Sequence, residues 1–191
     1  MSEIEYPAGY MTYEEFGRKF FEVAVSEQRV GDAIGSIAGD EFQMGPIGQG
    51  PGRIAKVSAK VRIQQPRVAR HSGLNFSFDI RIPLEINMVI DLRIDRPQFI
   101  VFGEIALQAV ARAAEPLALV LDVQKPQPRD ITIHVTSKTL RAEVLRVMAG
   151  IDAEIKRFIA AHVSGEIDNP AAQQAKVINI AEMIDSAWTG I

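Results

Sequence analysis

The chain has 191 residues, 47% hydrophobic and 24% charged, the composition of an ordinary globular protein and a length that fits a single domain over 1–191. A formal charge of −3, with no Lys/Arg cluster to track a phosphate backbone, argues against a nucleic-acid partner. The absence of cysteine excludes disulfides, thiol catalysis and Cys-ligated metal together.

The first ten residues carry Glu3, Glu5, Pro7 and Gly9 without a basic or an apolar run, so no signal peptide is read there. No stretch reaches the ~18 uninterrupted apolar residues of a membrane span. A soluble cytoplasmic protein is expected. The preference for Arg over Lys and the abundance of Ala and Val suggest a GC-rich bacterial genome.

Thr12-Tyr13-Glu14-Glu15 has the form of a capping box and opens a helix predicted over 12–37. Phe16, Phe20, Val23 and Ala24 recur on one face. Gly31, Gly35 and Gly39 weaken the pattern, so the helix ends near Val30 or frays to Ile37. Gly45 to Gly52, with its four Gly and two Pro, reads as a loop.

The period then becomes two, and an antiparallel sheet is expected over 54–136. Ala55, Val57, Ala59, Val61 and Ile63 alternate with polar residues, and a turn follows at His71-Ser72-Gly73. The even positions from Leu74 to Ile94 are all apolar, which puts one face in the core and the other largely in water. As one straight strand this run would span roughly 70 Å. Pro83 should divide it into Leu74–Ile82 and Leu84–Asp95, strongly curved where they meet. Phe99 to Ala111 return with Gly103 as a candidate bulge. Leu117–Val123 form a further strand, Lys125–Asp130 a loop, and Ile131, Ile133 and Val135 a short last strand.

From 139 to 164 the period is 3.6. Leu140, Val144, Val147, Met148, Ile151, Ile155, Phe158, Ile159 and Val163 make one apolar stripe, and Gly165 is a natural stop. A short helix over 179–188 should start at an Asn179 N-cap and turn Ile180, Ile184 and Trp188 inward. The predicted fold is therefore α+β. A long, strongly curved antiparallel β-meander packs against a long amphipathic C-terminal helix, with an N-terminal helix preceding it.

Chemistry-bearing patterns are sparse. Gly48, Gly50 and Gly52 fit neither a dinucleotide fingerprint nor a P-loop. His71 falls in a turn, His134 on the polar face of the last strand, and His162 near a helix end; none has metal-ligand spacing. No catalytic or metal-binding residue and no cofactor is assigned. Asp79, Glu85, Asp91, Asp95, Glu104 and Asp122 line the polar sheet face with Arg81 and Arg93, the pattern of a solvated face with cross-strand ion pairs. What the sequence has in excess is aliphatic surface.

Very long bent strands (Leu74–Ile94 and Phe99–Ala111) beside the helix Leu140–Val163 resemble the tubular lipid-binding superfamily, which includes the bactericidal/permeability-increasing-like and synaptotagmin-like mitochondrial lipid-binding domains. That resemblance, carried by about half the chain, implies a tunnel for acyl or isoprenoid chains. The leading expectation is thus an apolar-ligand binder, with a cleft between sheet and helix. Its lining would be Phe76, Phe78, Ile80, Leu84, Ile86, Met88 and Ile90 from the sheet, with Met148, Ile151, Ile155 and Phe158 from the helix. The alternative is a structural or interaction protein that buries its leftover apolar surface in a homo-oligomer. A third is an enzyme with His71 or His134 beside Asp79 or Asp122 on the polar face.

Overall fold

A computed structural model describes residues 9–38, 41–49, 55–71, 75–92, 95–134 and 142–189. Thr12 caps α1 (Tyr13–Ala24) as the sequence predicts: Glu15 N–H donates to Thr12 Oγ1 at 3.1 Å, and Thr12 N–H donates to Glu15 Oε2 at 3.2 Å. Replacing Thr12 with Ala should cost about 1 kcal/mol and speed amide exchange in the first turn of α1.

The single helix expected over 12–37 is in fact two, because the chain breaks at Val25-Ser26. Ser26 Oγ accepts from Arg29 N–H and starts α2 (Glu27–Ala38), a local bond that competes with helix continuation. The Arg29 guanidinium donates to the carbonyls of Val23 and Ala24, which have lost their helical donors.

A second correction concerns the glycine-rich stretch. Residues 45–49 belong to β1 (Glu41–Gln49), which pairs antiparallel with β2 (Ala55–Ile63). Gly and Pro are accommodated because the register jumps between Met44 and Ile47, and Gly45 takes a φ of +95° there. As the outermost strand of the sheet, β1 also tolerates Pro46, which has no N–H to give.

β3 (Arg67–Arg70) and β4 (Phe76–Asp91) follow. β4 is one 16-residue strand, roughly 50 Å long, and not two segments parted at Pro83. Its outer edge is shared: β3 pairs with Phe78–Arg81, and β2 pairs with Leu84–Asp91. Gln64 N–H donates to the Pro83 carbonyl at this hand-over. In an antiparallel ladder a residue's N–H and C=O point to the same neighbour, so the donor that Pro83 lacks faces the gap between β2 and β3.

β5 (Gln98–Ala114) runs in register with β4 from Val89↔Gln98 to Phe76↔Ala111. Gly103 stays in register with Leu84, so it is no bulge. A side chain there would meet the backbone oxygen of Thr132 at 2.8 Å, and glycine lets the neighbouring strand close in. The far edge of β5 is divided between β6 (Ala118–Val123), opposite Ala109–Ala114, and β7 (Ile131–His134), opposite Phe102–Ile105. A connection with a 3₁₀ turn at Pro128–Asp130 spans the interval.

α3 (Ala142–Asp168) passes through Gly165, which is exposed and has nothing near its Cα that a methyl would strike. It stops instead at Asn169-Pro170, where Asn169 Oδ1 accepts from Ala171 N–H and opens α4 (Pro170–Ala175). A short strand β8 (Val177–Asn179), not foreseen, pairs with β6 and leads into α5 (Ile180–Thr189). α3 is therefore not the last helix of the chain. Asn179 caps α5, accepting from Glu182 N–H, but Ile184 and Trp188 face outward, at 44% and 74% exposure.

The fold is α+β, with a curled antiparallel sheet in the order β1-β2-β4-β5-β6-β8 and helices on its inner face. Ile151, Ile155, Ile159, Val163 and Ile167 form the buried row of α3, four residues apart, and join Val30, Ile34 and Ile37 of α2 in one core with the sheet. Among the described residues no helix is long and apolar enough to cross a membrane. Expectations placed on Leu74, Val135, Leu140 and Gly50–Gly52 lie outside the described residues, as do the side chains of Val144, Val147 and Met148.

Candidate functional site

Strict alternation along β4 carries Phe78, Ile80, Leu84, Ile86, Met88 and Ile90 to the inner face, where Ile151 and Ile155 of α3 belong to the same core. All eight have almost no surface open to water and fill the centre of the core. Phe76 is half-buried at the margin, its ring 5.1 Å from that of Phe21, with the Arg70 guanidinium 5.2 Å above it. Phe158 lies at the opposite margin, exposed beside Phe42, whose ring His162 stacks at 3.9 Å.

Open apolar space lies further along the inner face, where β5, β6 and β8 meet the α1–α2 junction. A cavity of about 50 Å³ is bounded there by Val25, Val30 and Leu119, with Ala24, Ala33 and Ala111 supplying the short side chains that leave it unfilled and Arg29 also on its wall. Sequence reasoning overlooked it. The available sign was the pair of small inner residues towards the end of β5, Ala109 and Ala111, of which Ala111 lines the cavity.

Lys176 borders this cavity and is 8% exposed. Its Nζ donates to the Ile167 carbonyl at 3.0 Å, one of the carbonyls left without helical donors where α3 ends. Burial lowers the lysine's pKa from its ordinary value, against the opposing pull of Asp168 and Asp122. Between that lowered value and the ordinary one the unfolded chain binds more protons than the folded one. Stability therefore rises with pH through this alkaline window. Replacing Lys176 with Met should remove that share of the rise, read as a flatter dependence of melting temperature on pH.

On its other side Lys176 borders a charged cleft of about 360 Å³. Arg112 and Asp122 pair there at 3.7 Å, and Lys125 and Asp168 at 2.7 Å. A third cleft, also about 360 Å³, opens on the outer sheet face over the interval of β5 between β6 and β7, with Asp79, Arg81, Gln108 and Arg129 on its walls. His71 Nε2 lies 2.8 Å from Asp79 Oδ2, so one of the histidine–carboxylate pairs that the enzyme reading would need does form. The other does not: His134 stands opposite Phe102 and Asp122 opposite Val110, far apart along β5. Arg67 and Arg81 both donate to Glu104. These outer pairs are well exposed, which screens them and leaves each worth little. Among the described residues no group of three or more His, Cys, Asp or Glu is arranged to hold a metal ion.

No protein-family model matches the chain, and a comparison with curated proteins finds no match either.

Proposed function

We propose that the protein binds an apolar molecule between the inner face of its curled sheet and the helices that cover it. The observation that carries this reading is the small alanine-bordered cavity at the α1–α2 junction, lined mainly by apolar side chains that adjoin the aliphatic core, with Arg29 and Lys176 also on its wall. Binding is driven by desolvation of the ligand against these side chains. Entry goes past α1, which contributes no fully buried residue and is the least anchored part of the cover. In this reading α3 is the amphipathic helix that closes the inner face. Long strands curled beside it support kinship with the tubular lipid-binding superfamily.

Native and denaturing mass spectrometry of protein purified without detergent tests the reading. Wild-type protein is expected to carry excess mass that is lost on denaturation and recovered in an organic extract. Ala33→Phe, which fills the cavity, should lose that mass while still melting cooperatively. Bare wild-type protein that also fails to take up added apolar ligands would rule the reading out.

A second reading, self-association, is favoured by the exposure of Leu117, Val177, Met183, Ile184 and Trp188, clustered where β8 and α5 meet the end of β6. Sedimentation velocity should then show a discrete oligomer at micromolar concentration that Trp188→Glu dissociates. A wild-type monomer would retire it.

A further inference from the structure

We infer that the ligand is a small amphiphile bearing a single carboxylate, its tail in the alanine-bordered cavity and its head on the ammonium of Lys176. This inference rests on the apolar-ligand reading above and adds the head group to it. The apolar cavity and the charged cleft share Val120, Leu121 and Lys176, so they are two compartments meeting at one lysine.

The charge count of the second compartment is uneven. Arg112 is matched by Asp122 and Lys125 by Asp168, but the partner of Lys176 is a neutral carbonyl. Among the described residues Lys176 has no carboxylate within ion-pair distance. Asp122 and Asp168 act on it from further off and already hold other cations. Within this cleft one positive charge is therefore in excess, on the most buried of its three cations; Arg29, which lines the apolar compartment, is exposed to water and donates to the Val23 and Ala24 carbonyls.

A buried ammonium without an anion has lost hydration that a carbonyl only partly replaces. An ammonium carries three N–H donors, and the bond to Ile167 uses one of them. That bond also fixes the head of the side chain, so the remaining donors are preorganised. A monoanion neutralises the excess, whereas a phosphate monoester would overshoot it by about one charge. The cavity limits the tail: at about 10–15 Å³ for each water-sized group, 50 Å³ holds only a few carbons.

The test uses hexanoate, 1-hexanol and hexylammonium as probes of the full chain, with affinities from calorimetry or saturation-transfer NMR. Hexanoate should bind wild type at least about ten-fold more tightly than hexanol, the worth of one charge-assisted hydrogen bond, and hexylammonium more weakly than either. Lys176→Met keeps the aliphatic stem and should bring hexanoate down to the level of hexanol. Lys60→Gln, which removes a cation from the distant β2, should change nothing. Ala33→Phe should abolish binding of both hexanoate and hexanol.

Equal binding of hexanoate and hexanol to wild type overturns the head-group assignment and leaves the apolar site standing. If Lys60→Gln weakens hexanoate as much as Lys176→Met does, the attraction is general and the assignment to Lys176 fails. If neither probe binds wild type, both readings fall. Should Lys176→Met not fold, the three-probe comparison on wild-type protein decides alone.

Discussion

Truncating Ile86 to alanine is expected to lower the unfolding free energy by about 2–5 kcal/mol, whereas the same change at Ile100 should stay within about 0.5 kcal/mol. The two isoleucines belong to neighbouring strands and nearly the same level of the sheet, yet alternation sends them to opposite faces. Ile86 stands opposite Val61 on one side and Val101 on the other, with 0% of its surface exposed. Ile100 is one residue from Val101, opposite Asn87, and 58% exposed. Deleting methyl groups at Ile86 removes their transfer free energy and leaves a void among side chains with little freedom to collapse. At Ile100 solvent fills the space. Urea denaturation with an unchanged slope measures both. A loss below about 1 kcal/mol at Ile86 would mean that the interior is loosely filled there, and would extend the candidate ligand space along β4.

Gly45→Ala is expected to cost about 2–4 kcal/mol, through two effects that add. At a φ of +95° an L side chain is strained by about 1–2 kcal/mol. The new methyl would also lie 2.5 Å from the carbonyl oxygen of Val57 and 3.1 Å from Ser58 Cα, both backbone atoms that no rotamer change can move aside. β1 has a ladder on one edge only, so the strain is relieved by separating β1 from β2. Hydrogen exchange should therefore quicken at amides of the β1–β2 ladder while the β4–β5 ladder keeps its protection. Gly165→Ala is the matching control. That glycine is exposed and helical, with nothing in the path of a methyl, and alanine there should stabilise by about 0.5–1 kcal/mol.

Periodicity carried most of the fold. Alternation through the even positions of β4 marks every inner residue correctly, because a sheet with one buried face repeats every two residues whatever its neighbours do. The capping box at Thr12 and the Asn179 cap were readable for a similar reason: both are local bonds between residues close in sequence. What failed depended on partners far along the chain. Pro83 looks like a strand breaker until the gap between β2 and β3 is seen to face it. Gly45-Pro46 looks like a loop until its strand is placed at the sheet edge. Trp188 and Ile184 have helical spacing, but spacing cannot say whether anything covers the face they form.

The candidate site was the least readable part. Its defining feature is missing volume, left by alanines drawn from both helices and the sheet. No single stretch of sequence encodes an empty space bounded by α1, α2, α4, β5, β6 and β8 together. Lys176 carries no pattern at all, since its burial follows from the return of the chain after α4 to pair with β6.

The order of elements along the chain has a consequence for synthesis on the ribosome. β4 and β5 are complete by Ala114, but the row that covers their aliphatic face, Ile151 to Ile167, belongs to α3. At roughly 5–20 residues per second, several seconds pass between the two. During that interval a nascent hairpin with a long, sticky face is exposed to other chains. Of the two helices that precede it, only α2 brings fully buried core residues, so for those seconds shielding falls largely to the cell's chaperones.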